Sequence, residues 1–336
     1  MKQLIEYKKQ TNKGTEQTLI GIEMAKHNLY DKAIHFFEKA ITKGDLEAYC
    51  DIGVVYERQK MFAEAMYYYE KAVDEANCEV AAYNIGNLYQ HGKGVSADLS
   101  KAIDWYKKAM ELGYGLAYAK VASFYQEGNG VEKDERKAAQ VLEEGVKYDD
   151  PKEQDCTIEL GCCYHFGQGV EVNYQKEFEL FEKAAKAGNG IAIHNLAKCY
   201  KNGWGVEKNY GKCVSLLKTA IKLGQTEAYI DLCAVFVKGE LIEPDYEIAE
   251  YYSEEGMCHD IAECCLQNAE LHLSGCLGKN SSLDTAIESI GRFLFLRDPE
   301  DELYKTLKGK YPSKIKWWAI EKTDWNSHFL YDDEFN

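Results

Sequence analysis

Apolar positions along the chain fall into two alternating helical patterns. In the first, a small residue precedes an aromatic by three positions, as in Gly53/Tyr56, Gly86/Tyr89, Ala122/Tyr125, Gly161/Tyr164, Ala197/Tyr200 and Cys233/Phe236. Residues three apart share one face of a helix, so the small side chain permits close approach of a neighbour while the ring fills the space beside it. In the second, small, apolar and small residues follow at i, i+4 and i+7, as in Ala33/Phe37/Ala40, Ala65/Tyr69/Ala72, Ala102/Tyr106/Ala109 and Cys213/Leu217/Ala220. That stripe predicts an amphipathic helix with one packed face. The ladder extends upstream to Gly21 and downstream to Ala269, which gives eight two-helix units.

A Gly-x-Gly-Val element separates the helices at Gly92/Gly94/Val95, Gly128/Gly130/Val131, Gly167/Gly169/Val170 and Gly203/Gly205/Val206, at steps of 36, 39 and 36 residues. Glycines tolerate positive φ, and the valine is placed to plug the groove between the helices. Three residues past each plug stands a helix N-cap candidate: Asp98, Asp134, Asn173, Asn209 and, after Ile242, Asp245. The two small residues of a unit are 12 apart in the first two units (Gly21 to Ala33, Gly53 to Ala65) and 16 apart from Gly86/Ala102 to Cys233/Ala249.

Twelve is the tetratricopeptide spacing, and the longer turn with its glycines resembles the Sel-one-like repeat family, over about residues 16–295. The resemblance implies an all-α fold, a right-handed α-solenoid superhelix of helix-turn-helix repeats, with partners held on the concave side by the first helices. The implied organisation is an extension at 1–15, two tetratricopeptide-like repeats at 16–77, five Sel-one-like repeats at 78–257, a degenerate last repeat at 258–296, and a cap or tail at 297–336. Departures are Glu177, which replaces the small residue of the fifth unit, and the worn turn Lys238-Gly239-Glu240-Leu241-Ile242. One branch of the family is secreted and staples neighbouring helices with cysteine pairs; here that column carries Val73, Met110, Ala185 and Ile221, so the staple does not transfer.

Composition supports helices: only 4 prolines occur in 336 residues, two of them, Pro151 and Pro244, at joints between helices. A stacked array also removes any need for one large core. The charge of −16 repels phosphate backbones and anionic head groups, so neither nucleic acid nor a membrane is an expected partner, and no leader-like apolar run is present. The expected compartment is the cytosol, with the twelve cysteines as thiols rather than a disulfide framework. The densest Cys/His group runs from Cys258 through His259, Cys264, Cys265 and His272 to Cys276. A zinc site needs four ligands around one point, and Cys265 and His272 are seven residues, about 10 Å, apart on a helix. A thiol- or metal-responsive protein built on this group is therefore the second reading, behind packing thiols.

Catalytic motifs are weak. Gly86 through Gly92-Lys93-Gly94 resembles a phosphate loop superficially, but the spacing is one residue too long, Gly94 replaces Ser/Thr, and a helix precedes it. Cys162, Cys163 and His165 do not share a face well enough to form a thiol-base pair. The expectation is a non-enzymatic interaction scaffold without cofactor. First-helix residues off the packed stripe are the candidates for partner binding: Tyr83, Asn84, Asn87 and His91, then Lys120, then His194, Asn195, Lys198 and Lys201. They form a neutral-to-basic stretch between the acidic groups Glu47/Asp51/Glu57 and Glu227/Asp231, which suggests a protein or peptide partner with an extended acidic segment. The chain's own acidic end, Asp332 to Asn336, is a competitor for it.

Overall fold

The computed structural model describes residues 16–150, 154–238, 243–297, 299–321, 323 and 325. The extension at 1–15, Pro151, the worn turn at 239–242 and the acidic end at 332–336 lie outside these residues. The chain divides into two compact units, Met1–Leu180 and Phe181–Asn336. Among the described residues the secondary structure is helical, with no strand. No helix among them is long and apolar enough to cross a membrane.

In the first unit the helices pair in sequence: α1 (Glu16–Lys26) with α2 (Tyr30–Thr42), α3 (Ala48–Arg58) with α4 (Phe62–Ala76), α5 (Glu79–His91) with α6 (Leu99–Glu111), and α7 (Gly115–Glu127) with α8 (Glu135–Gly145). Next come α9 (Asp155–Phe166) and α10 (Tyr174–Lys186), the latter containing the division between the units. First helices of successive pairs also touch one another, α1 with α3, α3 with α5 and α7 with α9, so they share one face.

The small columns explain the close packing. A Cβ added to Gly21, Gly53 or Gly86 would lie 2.6 Å from the ring of Phe37, Tyr69 or Tyr106 respectively. The ring that fills the space therefore comes from the second helix of the pair, not from the aromatic three residues along the first helix. Those first-helix tyrosines are less uniformly core than the pattern suggests: Tyr56 and Tyr89 are half-buried, while Tyr125, Tyr164 and Tyr200 are buried.

The turns follow the expected chemistry. Both glycines have positive φ in each copy, 62° and 73° at Gly92 and Gly94 for example. At Gly169 a Cβ would stand 1.9 Å from the Glu135 carbonyl oxygen, so only glycine allows this approach to the preceding repeat. Each expected cap accepts a backbone N–H three residues on: Asp98 from Lys101 at 3.0 Å, Asp134 from Lys137 at 3.0 Å, Asn173 from Lys176 at 3.0 Å, Asn209 from Lys212 at 2.9 Å and Asp245 from Ile248 at 3.0 Å. The same residues donate their own N–H back to the first-helix aromatic's carbonyl, as Asp134 does to Tyr125 at 2.8 Å.

In the second unit the pairs are α11 (Gly190–Asn202) with α12 (Tyr210–Lys222), α13 (Ala228–Lys238) with α14 (Tyr246–Cys258), and α15 (Ala262–Ser274) with α16 (Leu283–Leu296). The worn eighth unit thus still forms a helix pair. Two short helices follow, α17 (Glu302–Lys310) and α18 (Trp317–Ile320). Trp317 is buried with Phe293 and Tyr304, its ring edge-on to Tyr304 at 5.7 Å, and the Trp325 ring packs against Gly291.

Candidate functional site

Counting two residues back from each first-helix small residue gives one column of repeat positions: Asp51, Asn84, Lys120 and Glu159 in the first unit, Asn195 and Asp231 in the second. Three of these are sequence candidates for partner binding, and their surroundings differ.

In the first unit, Asp51 is buried and so does not offer its charge to a partner. Asn84 and Asn87 are half-buried, and the Tyr106 hydroxyl lies 2.8 Å from Asn87 Oδ1 and 2.6 Å from Gln90 Oε1. Tyr83 packs on Tyr106 and Tyr114 with ring centroids 5.2 and 5.1 Å away, and His91 is exposed at the end of α5. Tyr83 and Lys120 line a recess of about 360 Å³ together with Ser123, Gln126, Asp155 and Glu159. Leu116, Ala119 and Leu142 supply its apolar wall. Glu159 stays open to water but is ringed by protein, and this desolvation raises its carboxyl above the usual range.

In the second unit, His194 is buried, with Nε2 2.8 Å from Asp231 Oδ2, and the Lys201 ammonium donates to Asp231 Oδ1. Burial alone would raise the Asp231 carboxyl. The hydrogen bonds and charges of His194 and Lys201 overcome it and hold the group well below the usual carboxylate range. Two of the four candidates here are thus engaged by an acidic neighbour one repeat on; Asn195 and Lys198 are half-buried on the same helix.

The buried thiols offer little nucleophilic chemistry. Cys163, Cys199, Cys213 and Cys233 are buried in the core, and burial pushes Cys163 up to about 11 and Cys213 up to about 12. In the region from Cys258 to Cys276, Cys264 and Cys265 are buried while Cys258 and Cys276 are exposed. No group of three or more His, Cys, Asp or Glu side chains is placed to hold a metal among the described residues.

A recurring contact escaped the reading of the sequence. A lysine ammonium lies over the first-helix tyrosine twelve residues earlier: Lys101 on Tyr89 at 5.4 Å, Lys137 on Tyr125 at 4.6 Å, Lys176 on Tyr164 at 4.7 Å and Lys212 on Tyr200 at 4.8 Å. With the cap at the ninth position this makes a Tyr-x8-Asx-x2-Lys latch across each of the four Gly-x-Gly-Val turns, visible in the sequence as a constant spacing; the seventh unit carries Phe236 and Ile248 instead.

The Sel1 repeat matches at residues 19–45, 62–77, 80–114, 115–140, 155–189, 190–225 and 226–256, together more than half of the chain. The chain belongs to the Sel1 repeat family. The matches include parts of the first two units, where the shorter spacing suggested tetratricopeptide repeats, and they end before the worn eighth unit. Among solved structures, the protective antigen c5321 of uropathogenic Escherichia coli, which has an SLR fold, is similar with a TM-score of 0.71 and 22% identity over 92% of this chain and 67% of that one. A Sel1 repeat protein from Oxalobacter formigenes gives a TM-score of 0.61 and 28% identity over 72% of this chain and 99% of that one. No curated protein matches. These similarities make the helix pairs Sel1-type α-solenoid repeats.

Proposed function

We propose that this Sel1 repeat protein is a non-enzymatic scaffold or adaptor of the cytosol that holds an extended segment of a protein partner along its first-helix face. One observation carries the reading. That face in the first unit leaves a recess whose walls combine half-buried polar groups with apolar side chains, the composition of a surface that binds peptide. The raised thiols of Cys163 and Cys213 favour a packing role for these two cysteines over a reactive one.

Asn87 and Lys198 are the proposed contacts best placed for a test, one in each unit. A partner with an acidic segment is the proposed ligand for Lys198, which is half-buried on α11. A photo-crosslinker placed at position 87 should capture a partner from native lysate, and so, in a separate experiment, should one at 198, whereas one at the exposed Lys108 on a second helix should not. Lys198→Glu should weaken capture without lowering the melting temperature. Equal capture from position 108 would remove the groove from the proposal.

A further inference from the structure

The recess of the first unit has a chemical bias opposite to that of the basic stretch read from the sequence. Its apolar wall is Leu116 and Ala119 on α7, its aromatic wall is Tyr83 on α5, and its far wall carries Asp155 and Glu159, one helical turn apart on α9. Carboxylates therefore outnumber the recess's cation, Lys120, and Glu127 at the end of α7 adds a further negative charge. Neither Lys120 nor Glu159 enters an ion pair among the described residues.

A mixed recess that sets apolar side chains beside carboxylates and a tyrosine ring matches one type of side chain. A lysine or arginine has an alkyl stem that packs on apolar surface and a cationic head that seeks both carboxylate and aromatic face. An acidic side chain would meet repulsion at the far wall, and an apolar one would bury Glu159 without a partner.

We propose that this recess is a specificity pocket for one basic side chain of the partner segment, with the stem between Leu116, Ala119 and Tyr83 and the head at Glu159 and Asp155. The pocket rests on the scaffold reading and adds to it the residue class selected at one position. The raised carboxyl of Glu159 fits this assignment, since an incoming cation relieves the same penalty that burial imposes.

The test is selection of short random peptides on the full-length protein, followed by affinity measurement of the selected sequences with wild type, Glu159→Gln and Glu159→Lys. Wild type should enrich Arg or Lys at one fixed position. Glu159→Gln should weaken the selected peptide about tenfold, the loss expected for one charge-assisted hydrogen bond. Glu159→Lys should invert the preference at that position to Asp or Glu, with melting temperatures of both variants close to wild type because the side chain is exposed. Enrichment without a basic position, or a basic preference that survives Glu159→Lys, overturns the pocket and leaves the scaffold standing. Failure of any peptide to be retained overturns both.

Discussion

Replacement of Lys201 by glutamate tests whether the His194, Lys201 and Asp231 cluster is structural. The sequence alone predicts that Lys201→Glu leaves stability nearly unchanged, since a groove lysine is expected to face solvent. The structure predicts otherwise. The Lys201 side chain is 22% exposed and that of Asp231 15%, so their attraction is only partly screened. The substitution removes one charge-assisted hydrogen bond, worth about 1.5–3 kcal/mol. It also sets a new carboxylate beside Asp231, which stays ionised because His194 and Lys201 had held its pKa low and His194 still does. Two like charges at about 4 Å repel by about 4 kcal/mol at an effective dielectric of 20, and rotation of the new side chain toward water relieves part of this. The net expectation is a loss of about 2–4 kcal/mol, read as a lower urea midpoint and as faster amide exchange in α11 and α13. In an Asp231→Asn background the same change should cost less than about 1 kcal/mol, because the repulsion is gone. The pH dependence has a definite sign. A carboxyl with a lowered folded pKa stabilises at pH above the unfolded value of about 3.9 and loses that contribution as pH falls below it, so the gap between wild type and Asp231→Asn should close in acid. An unchanged midpoint for Lys201→Glu, or an equal penalty in both backgrounds, would refute the pairing.

Gly86→Ala forces a methyl to within 2.6 Å of the Tyr106 ring and should destabilise by about 1–3 kcal/mol in urea titration, whereas Gly44→Ala meets no neighbour and should suffer only the strain of its positive φ. Trp317→Ala opens the cluster around Phe293 and Tyr304 and should lower stability by about 3–5 kcal/mol; deletion of 312–336 should reproduce that loss and promote aggregation, measured by light scattering, if this segment caps the last helix pair.

Local chemistry was legible in the sequence and contact between repeats was not. The caps Asp98, Asp134, Asn173, Asn209 and Asp245 and the paired glycines depend on a few adjacent residues, so composition at fixed offsets revealed them. The partner of the small residue was misread because helical geometry brings the i+3 side chain to the same face but not into the same space. Gly86 meets Tyr106 across the pair, while Tyr89 lies beneath Lys101. His194 and Asp231 are 37 residues apart and stand at different offsets in their repeats, and no periodicity states that these positions of successive first helices touch. Glu159 escaped for a simpler reason: its column was sampled in the neighbouring units and not in the fifth.

Glu177 shows how a departure from the repeat pattern is accommodated. Its column holds Ala102, Ala138, Cys213 and Ala249 elsewhere, all buried, and Glu177 is buried too, at 2% exposure. A lone carboxylate there would be strongly disfavoured. It is matched by His165, whose Nδ1 is 3.0 Å from Glu177 Oε1, at the position where the other units carry Gln90, Gln126 and Lys201. The fifth unit thus carries histidine and glutamate at the two positions where the third and fourth carry glutamine and alanine. Glu177→Ala removes a hydrogen-bond partner of the half-buried His165 and opens space in a packed column, so it should cost about 1–3 kcal/mol. The double variant His165→Gln/Glu177→Ala places the residue types of Gln126 and Ala138 of the preceding repeat at these two positions and should recover most of that loss. Thermal unfolding of the single and double variants measures the coupling directly. A double variant no more stable than Glu177→Ala would show that the two substitutions are independent, and that Glu177 is held by contacts other than His165.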